Sequence, residues 1–126
     1  MAVSANSTII PVYTSAGDAA AYLAYPHLFN SNGEWVGWVT PSREVYSVLG
    51  FYVGYLTNDP RVLRKRSDPS RPRLEPPTRP RRLNVPARVP LARMMSELTH
   101  DLVDVLLEEP DRLHTTDSGE LRDDLD

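Results

Sequence analysis

A unit of 16 or 17 residues recurs through the first half of the chain and leaves few folds open to it. The clearest copies are Leu28-Phe29-Asn30-Ser31-Asn32-Gly33-Glu34-Trp35-Val36-Gly37-Trp38-Val39 and Val45-Tyr46-Ser47-Val48-Leu49-Gly50-Phe51-Tyr52-Val53-Gly54-Tyr55-Leu56. A weaker copy from Val12 to Leu23 keeps the first glycine as Gly17 and has Ala21 in place of the second. The opening pairs Val12-Tyr13, Leu28-Phe29, Val45-Tyr46 and Val62-Leu63 recur four times, at steps of 16, 17 and 17. A fixed short period signals copies of one supersecondary unit packed side by side. The copies are rich in β-branched and aromatic residues. The connectors Asn30-Ser31-Asn32-Gly33, Thr40-Pro41-Ser42 and Thr57-Asn58-Asp59-Pro60 carry turn chemistry, so each copy reads as a β-hairpin.

Period-two alternation places Trp35, Gly37 and Val39 on one face of a strand and Glu34, Val36 and Trp38 on the other. A glycine or alanine in the middle of each second strand implies that another backbone approaches there too closely for a larger side chain. Three hairpins and a fourth opening pair predict a mainly β fold, with hairpin repeats of about 17 residues in a pseudo-fourfold or small barrel-like arrangement. The pattern Φ-aromatic-x-x-x-Gly-x-x-x-Gly-aromatic-Φ resembles the bacterial four-fold β-flower proteins over about residues 12 to 64, and more loosely the PRC-barrel interaction modules. The resemblance implies a fold and carries no catalytic or cofactor residues. In the fourth copy Val62-Leu63 runs into Arg64-Lys65-Arg66 without a glycine, and Thr8-Ile9-Ile10 is a candidate for the strand that closes the ring.

The net charge of −3 conceals a strong segregation. Residues 1 to 60 carry one basic and four acidic side chains, residues 61 to 93 eleven and two, and residues 94 to 126 two and eleven, which gives −3, +9 and −9. The basic stretch has seven prolines between positions 69 and 90, a density that excludes helix and central strand and predicts an extended linker over residues 67–90. Its arginines admit three readings. They can be solvated or answered by the chain's own acidic end. Arg64, Lys65, Arg66, Arg79, Arg81 and Arg82 can bind a polyanion such as RNA or DNA. A Pro-Arg segment can also dock on an aromatic groove.

Beyond Pro90, residues 91–110 predict an amphipathic α-helix that Pro110 ends. Leu91, Met95, Leu98, Leu102, Val105 and Leu106 form its apolar stripe, opposite Glu97, Asp101, Asp104 and Glu108. Such a stripe needs a cover, which could be the β-domain, a second copy of the chain or another protein. Residues 111–126 read as an acidic tail, with Asp117 and Glu120 spaced as a capping box. The organisation expected is therefore a β-hairpin-repeat domain over residues 1–66, the linker, the helix and the tail.

Catalysis finds little footing. There is no cysteine, hence no disulfide or thiolate chemistry. His27, His100 and His114 are scattered, and Glu97-x-x-His100 lacks the second motif that a dinuclear bundle site requires. Gly33-x-x-x-Gly37 lies within a hairpin and lacks the Lys-Ser/Thr of a phosphate loop. No catalytic, cofactor or metal residues are expected. The aromatic positions repeat in two sets, Tyr22, Trp38 and Tyr55, and Ala19, Trp35 and Tyr52. Core is the ordinary fate of such residues in a small domain, and the alternative is a shallow aromatic site lined by either set, with Tyr22, Trp38 and Tyr55 the candidate named. Neither a signal-like N-terminus nor an apolar run long enough for a membrane span is present, so a cytoplasmic protein without membrane contact is expected. The sequence as a whole predicts a non-enzymatic interaction or assembly module that binds a protein partner or itself through the β-domain and C-terminal helix. Nucleic-acid binding through the arginine-rich linker is the rival.

Overall fold

Eight strands follow one another in chain order across a single antiparallel sheet, each hydrogen-bonded to the next. They are β1 (Ile10–Tyr13), β2 (Ala19–Ala24), β3 (His27–Asn30), β4 (Trp35–Val39), β5 (Glu44–Ser47), β6 (Tyr52–Leu56), β7 (Val62–Lys65) and β8 (Leu102–Asp104). A four-residue helix, α1 (Val105–Glu108), and a 3₁₀ turn, Pro110–Arg112, complete the regular structure. The structure is a computed structural model, and it describes residues 8–69 and 71–116. The possible capping box at Asp117 and Glu120 lies outside the described residues.

The repeat in the sequence is a repeat in the hydrogen bonding. Ala20, Val36 and Val53 are each left over where the register slips between the two strands of a hairpin, giving an equivalent bulge in each of the first three copies. The mid-strand residue follows each bulge. A Cβ on Gly37 would overlap the carbonyl oxygen of Tyr46, and one on Gly54 that of Leu63, which is the close backbone approach expected there.

The bulges also break the simple alternation. Val36 and Val39 both enter the interior cluster, although strict period two would put them on opposite faces, and Val53 and Leu56 repeat this. An inserted residue bends the strand and curls the sheet around its apolar side. That side holds the four openers Val12, Leu28, Val45 and Val62, all without solvent exposure, together with Leu23, Val105 and Leu113. Burial of each such side chain contributes roughly 1.5–3 kcal/mol.

The fourth hairpin corrects two expectations. Its second strand comes from Leu102–Asp104, not from the N-terminus, where Ile10 opens β1 and pairs only with β2. The helix expected over residues 91–110 is confined to Val105–Glu108. Residues 91–99 carry no regular structure, and Leu102, Val103 and Asp104 pair with Lys65, Arg64 and Leu63. The stripe Leu91, Met95, Leu98, Leu102, Val105 and Leu106 therefore shares no helical face. Helix propensity is a few tenths of a kcal/mol per residue and yields to tertiary context. Here the open edge of β7 takes a strand, and the β-branched Val103 and Val105 sink to 1% and 0% exposure.

Candidate functional site: a strap across glycine turns

Three hairpins end in the same five-residue turn. Thr14, Asn30 and Ser47 donate their backbone N–H to the carbonyls of Asp18, Glu34 and Phe51 at 2.9, 2.9 and 2.8 Å. They accept from the N–H of Gly17, Gly33 and Gly50 at 2.9, 3.0 and 2.9 Å. Their side-chain oxygens accept the N–H two residues on, from Ala16, Asn32 and Leu49. Each turn closes with its glycine at positive φ, 95°, 82° and 92°, a region in which other residues are strained. The polar residue three before each glycine is the missed sequence signal, since Thr, Asn and Ser share one capping role.

Residues 67–69 and 71–100 form an irregular strap that runs back over these turns. At the third turn Leu74 donates its N–H to the carbonyl of Gly50 at 2.9 Å, and Arg73 Nε donates to the carbonyl of Leu49. Nine residues on, Leu83 donates to the carbonyl of Gly33 at 2.9 Å, and Arg82 Nε to that of Asn32 at 3.0 Å. The same Arg-Leu dipeptide thus makes the same bonds twice. A Cβ on Gly50 would overlap the carbonyl of Leu74, and one on Gly33 that of Leu83, so glycine is needed there for space as well as for φ.

The strap also covers the outer face of the sheet. Leu83 packs on Phe29, Trp35 and Val48. Trp38 stacks on Tyr46 with centroids 5.4 Å apart, and Tyr46 meets Tyr52 edge-on at 5.7 Å. The Arg71 guanidinium lies 4.0 Å from the centre of the Tyr52 ring and pairs with Glu44 at 2.6 Å. Burial, then the Glu44 carboxylate, push the Tyr46 phenol above its ordinary value. His27, hydrogen-bonded to the backbone of Thr78, is held below its ordinary value by burial, which outweighs that bond.

The six candidate polyanion-binding cations divide. Arg64 makes a two-pronged contact with Glu109 at 3.1 and 3.0 Å, Arg66 reaches Glu108 and the carbonyl of His100, and Arg82 is engaged at Asn32. Lys65, Arg79 and Arg81 are exposed. Glu109 is held below the ordinary carboxylate range, chiefly by the Arg64 hydrogen bond against the opposing effect of burial. Of the aromatic set, Tyr22 and Trp38 are buried and Tyr55 is half-buried, on three different strands, and among the described residues no ring contact joins them.

Two polar residues hold the first turn: Arg61, which the sequence reading did not single out, and Asp104, which it placed on the polar face of a helix. Arg61, 3% exposed, pairs with Asp59 at 2.7 Å and donates to Ser15 Oγ at 2.9 Å and to the carbonyl of Ser96 at 3.1 Å. Burial would raise Asp59, but hydrogen bonds from Arg61 and Thr57 hold it below its ordinary value. Asp104 accepts the Ser15 N–H and caps α1 through the N–H of Leu107.

At the opposite end of the hairpins, Tyr13, Tyr25, Arg43, Leu56, Pro60 and Leu91 line an open, mainly apolar groove of about 800 Å³. Arg43 spends its donors on the carbonyls of Leu56 and Thr57. Among the described residues no group of three His, Asp or Glu side chains could hold a metal, and no helix is long and apolar enough to cross a membrane.

Residues 10–63 match the family model described as 4-fold beta flower protein. Over this segment the chain is similar to the four-fold β-flower proteins. The match takes in β1 to β6 and the start of β7, so the strap and the strand that completes the fourth petal lie beyond it. No curated protein and no solved structure matches the chain. The β-flower is a small β-fold domain and not a known enzyme family.

Proposed function

We propose that this β-flower protein is a non-catalytic interaction module that recognises extended, arginine-bearing segments of protein, its own strap being held in that mode. The observation that carries the reading is the double seating of Arg73-Leu74 on Gly50 and Arg82-Leu83 on Gly33. Backbone bonds to a turn supply affinity for any extended segment, and the flanking arginine, placed over a second carbonyl, adds selectivity. The partner is another protein or a second copy of the chain. A cytoplasmic setting belongs to the same reading, in keeping with a chain free of cysteine. The nucleic-acid alternative is weakened because Arg64, Arg66 and Arg82 are already engaged.

The test is binding in trans. A labelled peptide of residues 71–86 is titrated into the full chain carrying Leu74→Asp and Leu83→Asp, which loosen the strap, with circular dichroism confirming that the sheet persists. Saturable binding, competed by unlabelled peptide, is expected. A folded variant that ignores the peptide would reject the reading.

A further inference from the structure

We infer that the first turn, Ser15-Ala16-Gly17-Asp18, is a docking site for an extended Arg-Leu segment of a partner protein. The inference rests on the interaction reading above and assigns it a place. The three turns share their internal hydrogen bonds and their glycine conformation, yet Gly33 and Gly50 are buried under the strap while Gly17 is exposed. Among the described residues nothing comes within 4 Å of the Cβ position of Gly17. The carbonyls of Ala16 and Gly17 correspond to the two acceptors used at each occupied turn, Leu49 and Gly50, and Asn32 and Gly33.

The strap cannot serve this turn itself. Its dipeptides are nine residues apart, and nine further on stand Leu91 and Ala92 in place of Arg-Leu. There the strap has turned toward the other end of the hairpins, with the Pro90 carbonyl taken by Tyr13 Oη and Leu91 left 93% exposed. The turn is also held ready, since Asp104 fixes the Ser15 N–H and Arg61 its hydroxyl, and neither bond uses the carbonyls of Ala16 and Gly17. Charge selects the occupant. Where Phe51 receives the Arg73 guanidinium beside the third turn, the first turn carries Asp18, an exposed carboxylate suited to pair with arginine. The partner segment is therefore extended, with an arginine directly before an apolar residue that keeps its N–H, and proline outside that pair, as in Pro72-Arg73-Leu74-Glu75-Pro76.

The probe is that five-residue peptide, capped at both ends and titrated into the isotopically labelled full chain. The expected result is a set of amide shifts centred on Ala16, Gly17 and Asp18, with the amides of Leu74 and Leu83 unmoved. Asp18→Arg on the exposed surface, and N-methylation of the peptide leucine, should each weaken binding by about tenfold, since each removes one bond. Absence of binding to wild-type chain overturns the inference. Shifts confined to Gly33, Gly50 and the strap overturn it as well, while leaving the interaction reading standing. Binding that appears only after removal of residues 117–126 reassigns the site to the chain's own end. Dimerisation that the peptide dissolves reassigns it to a second copy, and either result overturns a separate partner. Should the loosened-strap variant also fail to bind residues 71–86, it is the interaction reading that falls.

Discussion

The carboxylate of Asp104 accepts the backbone N–H of Ser15 at 2.6 Å, joining positions 89 residues apart in the chain. One side chain, 1% exposed, thereby ties the last strand to the first turn and caps the helix that follows it. Asp104→Ala should cost about 2–3 kcal/mol, since it strands a donor and removes a charge-assisted bond. Urea unfolding would show this as a lower midpoint with an unchanged slope, and an unchanged midpoint would mean that the contact does not hold the last strand to the first turn.

The three turn glycines should rank differently from what their similar φ suggests. Alanine at any of them meets the left-handed strain of about 1 kcal/mol. At Gly33 and Gly50 it also collides with the strap, and at Gly17 it meets no described atom. Hydrogen exchange at the Leu74 amide should accelerate in Gly50→Ala, and at the Leu83 amide in Gly33→Ala, with both unaffected in Gly17→Ala. Equal effects from all three would contradict the strap contacts.

Mild acid should loosen the strap. His27 titrates below its ordinary 6.5 in the fold. Between its folded value and 6.5 the unfolded chain binds more protons, so stability falls as pH drops through that window. His27→Gln should remove this pH dependence of protection at the strap amides. Glu109 acts at lower pH. Its depressed value contributes stability above its ordinary 4.5, and that contribution is lost as pH falls toward the folded value.

Nucleic-acid binding, if measured across a salt series, should show a log–log slope no steeper than about −2 to −3, because Arg64, Arg66 and Arg82 are engaged within the chain and Lys65 interacts with the Asp101 carboxylate, which leaves Arg79 and Arg81 as the exposed cations of the six. A slope of several units more, lost in Arg79→Glu/Arg81→Glu, would restore that reading.

What the sequence made legible was local and periodic. The openers Val12, Leu28, Val45 and Val62, the turn glycines, and the crowding at Gly37 and Gly54 all act within one repeat, where spacing and residue type suffice. The docking of a Pro-Arg segment on an aromatic groove was one of three readings of the linker, and within the chain the Arg71 guanidinium lies over the Tyr52 ring. The bulges escaped notice because an extra residue at Val36 or Val53 leaves composition unchanged and alters only the register. The helix failed for the opposite reason. Leu91 to Leu107 has helical periodicity, but the vacancy beside β7 is visible only in three dimensions, and filling it outweighs a preference worth tenths of a kcal/mol per residue. The repeated Arg73-Leu74 and Arg82-Leu83 could have been found, since their spacing of nine is as regular as that of the turns they cover.

Completion of the fourth petal by Leu102–Asp104 has a consequence for biosynthesis. A chain emerging from the ribosome presents seven strands in order and then waits more than thirty residues for the eighth, with the β7 edge unpaired throughout. The charged run Arg64-Lys65-Arg66 on that edge repels its counterpart on a neighbouring nascent chain, so the residues that later receive Glu108 and Glu109 also guard the growing sheet against premature pairing.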